Sequence, residues 1–126
     1  MNIEAYVDIS VKVEYLGVEE RGRLFQHAFA YKIRITNFST HNIQLLDRHW
    51  WIFDSDGKLT EVSGEGVVGQ TPTFAPNQDF EYTSWALIDT HIGTMKGEFG
   101  FIDLETDTRF VVQIPEFTLA HPGVLQ

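Results

Sequence analysis

The sequence predicts an all-β fold: a two-sheet antiparallel β-sandwich of seven to eight strands, with a small closed barrel as the competing arrangement. Three observations point this way. Apolar and polar residues alternate, as in Val7, Ile9, Val11, Val13 and Tyr15 against Asp8, Ser10, Lys12 and Glu14. Turn chemistry recurs roughly every ten residues. Phenylalanine is frequent, at ten residues, and flat aromatic side chains suit sheet faces. No stretch reads well as a helix.

Each element follows from the same pattern. The first strand covers residues 7–15, and residues 19–23, with four charges around Gly22, read as a mobile surface loop. The second strand, 25–37, points Phe29, Tyr31, Ile33 and Ile35 inward and Lys32, Arg34 and Thr36 outward. Asn37-Phe38-Ser39-Thr40 is turn chemistry. A third strand, 42–53, passes through Asp54-Ser55-Asp56-Gly57 into a hairpin partner at 58–63. Pro72, Pro76 and Asn77 keep the next segment extended and looped. Strands follow at about 80–87, 93–104 and 109–114, the last pair joined by a tight turn at 105–108. Pro115 is expected to end the final strand, with Phe117 and Leu119 packing back as an edge segment.

A chain of 126 residues fits one domain, 1–126, with enough apolar content (43%) to build a core. With no cysteine, disulfides, thiolate metal sites and cysteine nucleophiles are excluded. The acidic, alternating start lacks the features of a signal peptide, and no apolar run reaches membrane-spanning length, so a cytoplasmic location and no membrane partner are expected. A formal charge of −9 disfavours nucleic acid as a partner.

One motif invites a functional reading. Gly64-Glu65-Gly66-Val67-Val68-Gly69 has the G-x-G-x-x-G spelling of dinucleotide-binding loops. That chemistry requires a helix after the loop, and Pro72 and Pro76 forbid one. Two readings remain: a bend in which glycines supply positive φ angles, or an anion-binding nest of exposed amides. Arg48-His49-Trp50-Trp51 is the most distinctive cluster. On a strand, one tryptophan belongs to the core, while the other stacks under Arg48 or lies exposed. The five histidines show no metal-ligand spacing, and no serine–histidine–carboxylate order stands out, so no catalytic residue, metal ligand or cofactor is assigned.

Several segments together resemble the ApaG family, also called CorD. They include Phe29-Ala30-Tyr31-Lys32-Ile33-Arg34-Ile35-Thr36-Asn37, Gln44-Leu45-Leu46-Asp47-Arg48-His49-Trp50, and Val62-Ser63 running through the glycine motif to Gln70-Thr71-Pro72. Tyr82-Thr83-Ser84, Gly93-Thr94-Met95-Lys96-Gly97 and Ile114-Pro115-Glu116-Phe117-Thr118-Leu119 extend the match along nearly the whole chain. The resemblance implies a fibronectin type III-like or immunoglobulin-like sandwich and no established activity. Bacterial members are linked to cobalt resistance and magnesium efflux, and eukaryotic ones look like protein-interaction modules. It also implies a suspected pyrophosphate or nucleotide site, at positions that correspond to Gly64, Gly66, Gly69 and Arg48. Trp85 stands where the family usually has glycine, and His91-Ile92 where a proline is common.

The function expected from all this is a non-enzymatic binding module for a protein partner, with Trp51 and Trp85 as candidate contact residues. The alternative is a small-anion binder at the glycine loop.

Overall fold

The computed structural model describes residues 2–22 and 24–123. Among them, one 3-10 turn, Ile3–Tyr6, precedes eight strands: β1 Val7–Arg21, β2 Leu24–Asn37, β3 Ile43–Asp54, β4 Leu59–Glu65, β5 Thr73–Phe74, β6 Asp79–Ile88, β7 Ile92–Asp103 and β8 Thr108–Ala120. They form two antiparallel sheets, one of order β1-β2-β6 and one of order β4-β3-β7-β8, with the two-residue β5 also paired to β3. No described helix is long and apolar enough to cross a membrane.

The alternating pattern explains why the sheets face each other. Phe29, Ile33 and Ile35 of β2 meet Leu45, Met95, Phe99 and Phe101 of the opposite sheet, all at 0% exposure. Burial of such side chains stabilises by about 1.5–3 kcal/mol each. The core is aromatic at its centre, where the Trp50 ring contacts Tyr31, Phe99 and Phe117 at 5.3, 6.3 and 5.8 Å. Edge-to-face geometry of this kind adds to the area term.

The crossing from β2 to β3 depends on Asn37, whose side chain is fully buried. Its Nδ2 donates to the carbonyls of His41 (2.8 Å) and Phe74 (3.2 Å), and its Oδ1 accepts from Ser39 N (3.0 Å) and Ser39 Oγ (2.6 Å). The Asn37 main chain is also bonded, to Gln78 and Asn77. An asparagine at a turn can bond its own backbone neighbours, and here one side chain ties the segment before β3 to β5, while its main chain holds the segment after β5.

Two expectations require correction. Residues 19–21 are strand, not mobile loop: Glu19, Glu20 and Arg21 pair with Gln26, Phe25 and Leu24. Charges are compatible with a hairpin that projects into solvent, because both of its faces are wet there. Gly22, at φ +64, makes the turn, and Gly17, at φ +118, lies at the register shift after Tyr15. Arg23 lies outside the described residues.

Pro115 does not end its strand. β8 continues to Ala120, with Ile114 opposite Gly97 and Phe117 opposite Met95, so the proline sits at a bulge. β8 is the last strand of its sheet, and an edge strand tolerates the missing N–H. The continued strand places Leu119 in the core at 0% exposure.

Candidate functional site

The glycine loop is built by β4 and the turn after it. Gly66 N donates to the Leu46 carbonyl at 2.8 Å, Val67 N to the Gln70 carbonyl at 2.8 Å, and Gln70 N back to the Val67 carbonyl at 2.9 Å. Val68 (φ 43) and Gly69 (φ 78) are both left-handed, the pattern of a two-residue type I′ hairpin turn. Val67, at 0% exposure, pins the loop to the core. Gly66 combines φ +66 with a close approach, since a Cβ there would lie 2.4 Å from the Gln70 carbonyl oxygen. Only glycine fits such a position. The amides of Gly66, Val67 and Gln70 are therefore committed to backbone partners.

Arg48 does reach this loop. It lies on β3 opposite Gly64 of β4 and Phe99 of β7. Its Nη1 donates to the carbonyls of Gly66 (2.9 Å) and Glu65 (3.2 Å). Gly64 leaves room for the guanidinium, because a Cβ there would come within 3.0 Å of Nη1. The three glycines thus have three tasks: Gly64 admits Arg48, Gly66 makes the bend, and Gly69 turns the chain.

Beside the loop is an open hollow of about 330 Å³, lined by Asp47, Arg48, His49, Ser63, Gly64, Glu98, Gly100 and Val111. Arg48 is its guanidinium, while Asp47 and Glu98 bring negative charge. Asp47 is bonded to Arg109 at 2.7 Å. This arrangement can hold an anion only against two carboxylates.

The tryptophans separate as strand alternation requires. Trp50 is the core residue, at 2% exposure. Trp51 faces outward on the five-stranded sheet and stacks on His49, with centroids 4.0 Å apart and planes at 13°. His49 Nε2 in turn meets Glu61 at 3.1 Å. Trp85 lies on the outer face of the three-stranded sheet, 63% exposed, opposite the buried Ala30. Trp51 and Trp85 thus stand on opposite outer surfaces of the sandwich and cannot share one contact patch.

Sequence reasoning missed two groupings of histidines. His41 Nδ1 meets Asp103 Oδ2 at 2.7 Å, joining the turn before β3 to the end of β7. This bond raises the His41 pKa. Burial pushes the Asp103 carboxyl up, but hydrogen bonds from His41 and the Glu105 amide outweigh it and leave the group below its ordinary range. His27, His91 and His121 form the second grouping, around Tyr15. Spacings of tens of residues carry no local signal for either.

Comparison with known proteins gives consistent matches. The ApaG domain matches residues 19–103. Protein ApaG of Shewanella frigidimarina is 41% identical, covering 98% of each chain. Protein ApaG of Ralstonia nicotianae is 45% identical, covering 93% of this chain and 94% of its own. An X-ray structure of a structural-genomics target superposes with a TM-score of 0.93 at 38% identity, covering 98% of this chain and 93% of its own.

Proposed function

The chain belongs to the ApaG domain family, and on that premise we propose that it is a non-enzymatic binding module that engages a protein partner through the outer face of its three-stranded sheet. The observation that carries this is Trp85. A tryptophan 63% exposed, on the outer sheet face and the edge strand β6, presents a large apolar surface to water. Across the ladder, Ala30 and Ala28 are small and buried at 8% and 7% exposure, so the indole stands above a low floor. Tryptophan anchors of this kind dominate interface energetics. Lys32 and Arg34 flank it on the same face, paired with Glu81 and Asp79 on β6, which supplies a polar rim.

Trp51 is the weaker candidate, since its ring already stacks on His49. Affinity capture from native lysate with wild type, Trp85→Ala and Trp51→Ala, followed by titration of the purified partner, tests the assignment. Loss of at least ~2 kcal/mol on Trp85→Ala, with Trp51→Ala near wild type, is expected of a central anchor. Equal affinity for all three proteins would refute it.

The small-anion reading is supported by one feature, the contact between Arg48 and the glycine loop. Calorimetry with pyrophosphate, comparing wild type and Arg48→Ala, tests it. An affinity lost with the guanidinium supports the reading, and absence of heat for both proteins removes it.

A further inference from the structure

We propose that His27, His91 and His121, together with Tyr15, form a proton-operated latch that holds the outer half of the β1–β2 hairpin against the body of the sandwich near neutral pH and releases it on acidification.

Four parts of the chain meet here. Tyr15 comes from β1, His27 from β2, His91 from the turn between β6 and β7, and His121 from the residue after β8. The ring centroids of His27 and His91 are 4.6 Å apart, those of His91 and His121 5.9 Å, and those of His27 and His121 6.1 Å. Tyr15 closes the group, 4.6 Å from His121 and 5.9 Å from His27, and its other side packs edge-on against the fully buried Phe29 at 5.3 Å. Beyond this point the hairpin is tied to the body by Gln26, whose Nε2 donates to Asp89 at 2.9 Å, while several of its apolar side chains lie exposed. Leu16, Val18 and Phe25 are 50%, 53% and 60% exposed.

One hydrogen bond requires an unprotonated ring nitrogen. His121 Nδ1 accepts the Gly123 amide at 3.0 Å, which an imidazolium cannot do. Tyr15 Oη lies 3.0 Å from His27 Nδ1. His27 is 7% exposed, and burial lowers its pKa, with His91 and His121 acting in the same sense. Among the described residues, the causes at His27 are burial first and then these two histidines. Asp89, in the turn after β6, is bonded to Gln26 and Lys58, and Glu19 and Glu20 follow Val18, the ladder partner of His27, on β1. Among the described residues no three histidine, aspartate or glutamate side chains are arranged to hold a metal ion, so proton uptake is the chemistry the cluster supports.

An unperturbed histidine charges below about pH 6.5, and His27 only further down. Two or three imidazolium rings at these separations repel one another and break the His121–Gly123 bond. The repulsion is relieved if the hairpin swings away from residues 91 and 121, which lifts Tyr15 off Phe29 and uncovers apolar ring surface.

Hydrogen exchange tests this on the intact chain at about pH 7.5 and about pH 5, with labelling times scaled for the intrinsic pH dependence. In wild type, protection across residues 13–27 is expected to fall about tenfold or more on acidification, while β3 holds. His91→Gln/His121→Gln removes the two less buried imidazoles and keeps the buried His27, with native folding checked by its thermal melt at about pH 7.5; its fall should be under about twofold. An equal fall in the double variant, no fall in wild type, or a parallel loss in β3 would each overturn the latch.

Discussion

Gly66→Ala separates a structural bend from a merely flexible loop. The added Cβ would sit 2.4 Å from the Gln70 carbonyl oxygen and 3.0 Å from its carbon, at a backbone φ of +66. The left-handed conformation costs an L-residue about 1–2 kcal/mol, and a contact with rigid backbone adds about 1–3 kcal/mol. The Gln70 main chain cannot retreat easily, since it exchanges two hydrogen bonds with Val67, which is fully buried. A total near 2–5 kcal/mol follows, a large share of the roughly 5–15 kcal/mol of a typical domain. It corresponds to a Tm lowered by about 8–20 °C. Gly69→Ala is the internal control: its φ is +78, but nothing lies within 4 Å of the new methyl. It should cost only about 1–2 kcal/mol. Calorimetric melts and urea titrations of both variants measure the difference. If Gly66→Ala melts within about 2 °C of wild type, or Gly69→Ala is the worse of the two, the steric account of this loop is wrong.

Two further outcomes follow from the polar groups. Asn37→Ala removes four side-chain hydrogen bonds at a site of 0% exposure, and should cost about 2–4 kcal/mol in urea unfolding with an unchanged m-value; a loss below about 1 kcal/mol would show the crossing is held otherwise. His41→Gln tests the His41–Asp103 pair through pH: His41 is raised, so its contribution is full below its unfolded value near 6.5 and lost as pH rises through its folded value. Asp103 is lowered, so its contribution is present above its ordinary range and lost as pH falls through its folded value. Wild type should therefore exceed the variant most between about pH 4.5 and 6.5, and a gap that grows above pH 8 would contradict the pairing.

The sequence by itself determined the fold class and most strand positions. Alternation of Phe29, Tyr31, Ile33 and Ile35 with charged neighbours leaves a strand only one way to face the core. It also determined that the glycine motif could not open a helix, because Pro72 and Pro76 act locally. It misplaced the ends of two strands, since whether a charged hairpin or a proline interrupts a ladder depends on what lies across the strand and whether the strand is at an edge. Which side of the glycine loop Arg48 would meet, and that it would bond carbonyls, were decided only when β3 and β4 paired. The same holds for the two outward tryptophans, which strand period assigns to surfaces but not to the same surface. The histidines are the clearest case. His27, His91 and His121 are unrelated in sequence, and only the meeting of β2, the β6–β7 turn and the end of β8 makes them neighbours whose charges interact.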